Sequence, residues 1–573
     1  MADATVPAQS GRAGAGFDLS GVILVAFALV LCVLIVLPLS WLVYYSVVDR
    51  NGGFTLANFA TLVTDPSFLD PLITTVILAT TSSLLCCAVA APMGWLVART
   101  DMPWRRTTRA LVTASFVTPP FLGAIAWELL AAPNSGLLNQ LYRALFGVEA
   151  DEHLFDIYSL PGLIFVISCY TFPYVFVLVA NALDRIPGEL EDASAILGGR
   201  TWTTARRVTV PLALPALLAG ALVAFLQAMT LFGSPAILAL PAGFHTMTTK
   251  IWSLFQYPPK PELAAAASLP LLLLTVALLR AEHVILGRRS YAVVGGRHGN
   301  PRQIRLGALK WVALAFCFLV LLCPVFLPYG ALLNAAFSPV PSQLVTFATV
   351  TLRNIHFVFF ELSATQLTLK NTFLLGTLAA TIGTTLALVI AYVTAREAVP
   401  GHRALGFMAT APVAIPGIVL GVALFLSYTR PPFVLYGTLW ILLVAFVTIS
   451  LPAAYQQLQA AFRTVHPELE DASRILGATR LTALRQITAP LLRTGVIATW
   501  CFIFVGVIRE LSAAIMLFTS ETKVVSVLIF DLNESGDLGA IAVLGIIMLV
   551  ITFAVVVLVN RVPGFGSNIT IRN

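Results

Sequence analysis

The residues whose types and spacing could do chemistry are few, and the most informative are acidic. Glu189-Leu190-Glu191-Asp192-Ala193-Ser194-Ala195-Ile196-Leu197-Gly198 is followed by Val208-Thr209-Val210-Pro211. The same plan returns as Glu468-Leu469-Glu470-Asp471-Ala472-Ser473-Arg474-Ile475-Leu476-Gly477, followed by Ile487-Thr488-Ala489-Pro490. The step from Gly to Pro is 13 residues in both copies. Carboxylates crowded at the front suit the first turn of a helix, where the positive end of the dipole favours them, and the Gly suits a left-handed stop. Leu190, Ala193 and Leu197 then share one face, as do Leu469, Ala472 and Leu476. A small apolar stripe bordered by charge is suited to docking in a groove of another protein. A membrane-surface turn would explain one such string; two at matching places ask for a shared partner. Pro211 and Pro490 are predicted near the start of the next helix, where a missing N–H matters little.

Arg509-Glu510, in FVGVIRELSAAIML, is an adjacent charge pair deep within an apolar run. Ionised groups at such depth face protein or a water-filled cavity, so the pair fits a pathway or gating role and a helix-to-helix salt bridge equally well. Glu128, Tyr170, Phe172 and Tyr174 lie near Pro119 and Pro173, where helix breaks could line a cavity, although aromatic residues there also serve packing. The chain has no GxxxxGK[ST] phosphate loop. Its seven histidines include no HExxH or clustered ligand set, and its seven cysteines fall in apolar runs without ligand spacing. Neither a catalytic residue nor a metal site is assigned.

Membrane helices must position these groups. Hydrophobic residues make up 58% of 573 positions and charged residues 11%, too little polar surface for a soluble domain. Runs long enough to cross about 30 Å of hydrocarbon occur near 21–48, 71–98, 108–132, 159–183, 208–239 and 263–287, and again near 309–337, 367–395, 404–428, 436–460, 487–518 and 538–560. The fold class is therefore an all-α polytopic membrane protein of about twelve spans. The first run is too long for a signal-peptide core and is read as a retained helix after a tail at 1–17. With the N-terminus inside, 25 of the 34 Lys and Arg residues face the cytoplasm, which places both termini there. That asymmetry accounts for the net charge of +7, and no nucleic-acid partner is needed.

The chain is internally duplicated. Thr55-Leu56-Ala57-Asn58 answers Thr351-Leu352-Arg353-Asn354, Ala98-Arg99 answers Ala395-Arg396, Pro119 answers Pro416, and Pro173 answers Pro452. An insertion in the first copy falls in the outer loop 133–158, where Leu137, Leu138, Leu141 and Leu145 recur at helical spacing and predict a helix along the outer membrane surface. The plan is a six-helix half at 18–287, a basic linker at 288–308, a second half at 309–562 and a tail at 563–573. An even number of spans per half makes the copies parallel, with a pathway at their interface.

At the two acidic strings the chain resembles the permeases of binding-protein-dependent ABC importers, whose loop pattern is E-A-A-x-x-x-G followed by I-x-x-P. Asp192, Ala193, Ser194, Gly198, Val208 and Pro211 fill those positions, as do Asp471, Ala472, Ser473, Gly477, Ile487 and Pro490. Asp replaces Glu and Ser replaces the second Ala. The resemblance implies that these segments, with Glu191 and Glu470, dock into two copies of a cytoplasmic ABC ATPase that uses ATP and Mg, while this chain binds no cofactor. It also implies an external or periplasmic substrate-binding protein and a place in the bacterial inner membrane, among lipid. The fused layout resembles ferric-iron permeases, shared by thiamine and aminoethylphosphonate permeases, and the RELSA string favours iron. An ion-coupled secondary transporter would also show parallel repeats and buried charge, but gives no reason for duplicated loops. A membrane enzyme would need a nucleophile and base set that the sequence does not offer.

Overall fold

The computed structural model describes residues 19–149, 151–287, 303–397, 399–466, 468–478 and 480–560. The tails at 1–17 and 563–573 and the linker as far as 302 lie outside the described residues. Among the described residues ten helices are long and apolar enough to cross a membrane, and two bent pairs, each counted as one span, bring the number to twelve. The first set is Leu24–Ser46, Pro66–Arg99, the pair Arg105–Val117 with Pro120–Ala131, Leu160–Arg185, Trp202–Thr230 and Pro261–Glu282. The second is Leu309–Phe337, Ala364–Ala395, the pair His402–Ala414 with Gly417–Tyr428, Leu439–Arg463, Arg485–Ile508 and Leu538–Leu558.

Two expectations are corrected. The third run of each set is not one straight helix: the pairs bend by 98° and 109° at Pro119 and Pro416. Pro119-Pro120 offers no N–H to continue the first helix, and Thr118 and Pro119 are extended. The fifth runs also stop early, at Thr230 and Ile508, and the chain then folds into the short buried helices Gly233–Leu238 and Ala514–Leu517. Arg509-Glu510 therefore lies at a helix end rather than deep within a span.

Pro211 and Pro490 fall near the start of the fifth runs, as expected, each the second residue of its regular segment, Val210–Thr230 and Ala489–Ile508. Each lies one turn or more inside a longer helix, just after the wide turns Ala205–Thr209 and Leu484–Thr488. The same arrangement occurs in the first span of each set, with wide turns at Cys32–Val36 and Leu322–Phe326 before Pro38 and Pro328. A wide turn relieves the clash of the proline ring with the preceding turn, yet it leaves one carbonyl without a helical partner.

Those orphan carbonyls show how the two sets interlock. Leu37 N–H goes to Cys32 O and Pro38 has no N–H, so Val33 O is left over; Tyr428 Oη, from the second set, donates to it at 2.7 Å. Leu327 N–H goes to Leu322 O and Pro328 has none, so Cys323 O receives Trp127 Nε1–H of the first set at 3.2 Å. Each first span is thus held against the bent pair of the other set. A buried carbonyl left unpaired costs about 1–3 kcal/mol, so these side chains are structural caps. The insertion forms the helix Leu137–Phe146 as predicted, with Leu137 buried and Leu141 and Leu145 exposed.

Candidate functional sites

The two acidic strings form the short helices Gly188–Ile196 and Glu468–Ile475, and the end of the linker lies near the first of them. Gly198 and Gly477 take positive φ, +81° and +93°, in the left-handed stop their position predicts. Gly199 N–H bonds Ser194 O at 2.8 Å and Ala478 N–H bonds Ser473 O at 3.1 Å, the six-to-one bond that closes such helix ends. Leu190, Ala193 and Leu197 are exposed, as are Leu469, Ala472 and Leu476. Ile196 and Ile475, outside the predicted stripe, are 86% and 85% exposed and extend it into an apolar tip. Asp192 and Asp471 are exposed beside them.

Glu191 and Glu470 turn the other way. Glu191 pairs with Arg99, the last residue of the second span, and accepts Thr209 Oγ1–H at 2.9 Å. Glu470 pairs with Arg396 at 3.0 Å and accepts Thr488 Oγ1–H at 2.7 Å. Arg99 also donates to Leu183 O and Ile186 O, at 3.3 and 3.1 Å, and Arg396 to Val465 O at 3.1 Å. Each carboxylate thus ties its short helix to the end of the second span and the start of the fifth, and its arginine extends the tie to the end of the fourth. Charge-assisted bonds of this kind fix the orientation of the short helix against the membrane helices. Arg99 and Arg396 are visible in the sequence only as matched repeat markers; their role needed the fold. Ser194 Oγ lies 2.8 Å from Thr204 Oγ1 and adds a second tie in the first copy.

The four pathway candidates do not form one cluster. Glu128 Oε1 accepts the Tyr158 hydroxyl at 2.8 Å, while its buried Oε2 has no hydrogen-bond partner. Tyr170 is 4% exposed and its ring fills the space a side chain on Gly123 would need. Glu510 Oε1 accepts Ala513 N–H at 3.0 Å and caps the helix Ala514–Leu517, whereas Arg509 Nη1 donates to Phe116 O at 2.7 Å. Among the described residues neither Arg509 nor Glu510 forms the helix-to-helix salt bridge that was one of the two readings of the pair. Among the described residues no group of three or more His, Cys, Asp or Glu is placed to hold a metal ion.

Known proteins carry the same plan. The ferric transport system permease FbpB of Actinobacillus pleuropneumoniae is 26% identical over 454 residues, 78% of this chain and 64% of that protein. A putative ferric transport system permease FbpB 1 of Haemophilus influenzae is 26% identical over 414 residues, 71% of this chain and again 64% of that protein. The match therefore spans just under two thirds of each ferric relative. The molybdenum transport system permease ModB of Mycobacterium tuberculosis is 29% identical over 238 residues, 42% of this chain and 85% of that protein. The family of binding-protein-dependent transport system inner membrane components matches residues 90–290 and again 383–563. Each match takes in one bent pair and one acidic string, and together they cover more than half of the chain, which belongs to that family.

Proposed function

We propose that the chain is the membrane-spanning subunit of an ATP-driven importer and holds both halves of the translocation path. Each short helix docks one copy of a cytoplasmic ABC ATPase, so one chain engages two. The observation that carries this reading is the duplicated network Arg99–Glu191–Thr209 and Arg396–Glu470–Thr488, which links an exposed apolar tip to three membrane elements in both repeats. ATP and Mg are used by the partner, and this chain supplies no catalytic group. Both short helices then face the cytoplasm of a bacterial inner membrane, as do both termini. The opposite face receives substrate from an external binding protein. The repeats are the units 18–287 and 309–562, joined by the linker 288–308.

The cargo is ferric iron, a reading supported by the names of the two ferric relatives and by the RELSA string. Thiamine, aminoethylphosphonate and molybdate are the competitors. Uptake of all four is compared in a deletion strain with and without this chain; loss of iron uptake alone is the expected result, and unimpaired iron uptake removes it as cargo. Coupling is tested by co-purification of the co-expressed ATPase with Gly198→Val and Gly477→Val variants. Both variants weaken its retention while remaining inserted, and full retention together with full uptake in both overturns the assignment.

A further inference from the structure

Arg509 sits where the two repeats meet. It ends the helix Ala489–Ile508 and reaches into the first repeat, where Nη1–H donates to Phe116 O at 2.7 Å. The guanidinium also lies over the Phe116 ring, 5.7 Å from its centroid. Phe116 O needs an outside donor because neither Pro119 nor Pro120, which follow it at the bend, has an N–H. The ring in turn packs edge-on against Tyr174 at 5.0 Å, and Tyr174 Oη accepts Gln227 Nε2–H at 2.5 Å. One cation of the second repeat thus touches a chain running through the third, fourth and fifth spans of the first.

The helix ends around it also face each other across the repeats. The Leu511 side chain lies 3.2 Å from the point where a Cβ on Gly233 would stand, and Phe232 and Phe530 have ring centroids 6.0 Å apart. Ser526 Oγ–H bonds Glu510 O at 2.7 Å, and Thr248 Oγ1–H bonds Leu231 O at 3.0 Å, so Glu510 and Leu231 are structural counterparts. That equivalence makes Thr230 the counterpart of Arg509. Thr230 satisfies itself within its own helix, on Leu226 O at 2.8 Å. The first repeat therefore holds no reciprocal arm. The caps from Tyr428 and Trp127 come as a matched pair and fasten the first spans; the Arg509 contact is single and joins the two bends.

We propose that Arg509 is a latch between the repeats: it caps the carbonyl orphaned by Pro120 while the repeats are closed on each other, and it releases when they part to pass substrate. The proposal rests on the path lying between the repeats, as the proposed function has it. A hydrogen bond to a charged donor in a water-poor interface is strong enough to bias such an equilibrium by tenfold or more.

The test uses the full chain alone in sealed vesicles holding rubidium chloride. Arg509→Thr installs the residue that the first repeat uses at the equivalent place, so the helix end keeps a side chain that bonds to itself. It is expected to raise rubidium or chloride leak by roughly tenfold or more, with the purified protein still folded and its melting temperature lowered only by the few degrees that one uncapped carbonyl costs. Arg509→Lys keeps the charge without the planar fork and falls between Thr and wild type. Wild-type leak in a folded Arg509→Thr protein overturns the latch. If Arg509→Thr does not fold, Arg509→Lys decides: raised leak at a wild-type melting temperature supports the latch, and wild-type leak or an equal loss of folded protein makes Arg509 a structural cap only. The vesicles contain no ATPase, so failure here leaves the docking assignment standing, and failure of docking leaves the leak result intact.

Discussion

At the first acidic helix the Arg99 side chain is 0% exposed and its Glu191 partner 5%, whereas at the second Arg396 and Glu470 retain 11% and 13%. The outer surfaces do not differ in this way: Leu197 is 88% exposed and Leu476 89%. The difference comes from the linker. Ile304 lies beside Thr100 as a short parallel strand contact, with Ile304 N–H on Arg99 O at 2.8 Å and Asp101 N–H on Ile304 O at 3.1 Å. Leu306 N–H adds a bond to Asp101 Oδ1 at 2.8 Å. Behind the helix this leaves a cavity of about 400 Å³, bordered by Trp95, Glu191, Thr204, Gln303 and Arg305. Two short helices of equal outward exposure are thus backed by supports of unequal burial, which is what a duplicated fold acquires when one copy must also carry the connection to the other.

The sharpest way to break this comparison is to remove the cations. Arg99→Ala leaves Glu191 buried without its partner, a change that costs about 3–5 kcal/mol. Arg396→Ala exposes Glu470 to water more readily and costs about 1–3 kcal/mol. Melting curves of the two purified variants check the order, and equal losses would mean that the linker adds nothing. Next in size are Gly198→Val and Gly477→Val. Both glycines sit at positive φ with open space around them, so each substitution strains the helix end by about 1–2 kcal/mol. Because the outer surfaces match, the two variants should reduce ATPase retention equally.

Asp101→Ala removes one acceptor of the linker contact and is worth about 1 kcal/mol. Amide exchange should quicken across Gly188–Ile196 and stay unchanged across Glu468–Ile475. Quickening in both helices would show that the linker acts on the whole molecule. The smallest effect belongs to Ser194→Ala, which removes the tie to Thr204, about 0.5–1 kcal/mol, and should appear only as faster exchange near Ile196.

Much of this was legible in the sequence, for reasons that can be named. Apolar run length places the spans because a membrane helix must satisfy its backbone internally over a fixed thickness. The glycine stops were legible because only a residue without Cβ takes their φ readily. The bends were legible only in part: a helix break was expected at Pro119 and is there, but the one expected at Pro173 is not, since Leu160–Arg185 runs through it, and at Pro416 apolarity carried the reading straight through because membrane helices tolerate proline. Glu191 and Glu470 were grouped with their exposed neighbours because spacing alone does not tell which carboxylate meets a cation from another span. Arg99 and Arg396 stood at equivalent places in both repeats, and asking what acid recurs with them would have found the pair. Among the described residues the linker strand contact has no counterpart beside Arg396, so symmetry did not reveal it.

The central claim, two equivalent docking surfaces on one chain, is tested most directly by the mass of the complex purified with co-expressed ATPase. The account predicts two ATPase copies per wild-type chain, a shift towards one in Gly198→Val or Gly477→Val, and none retained in the double variant. One copy on the wild-type chain, or two on the double variant, would contradict it.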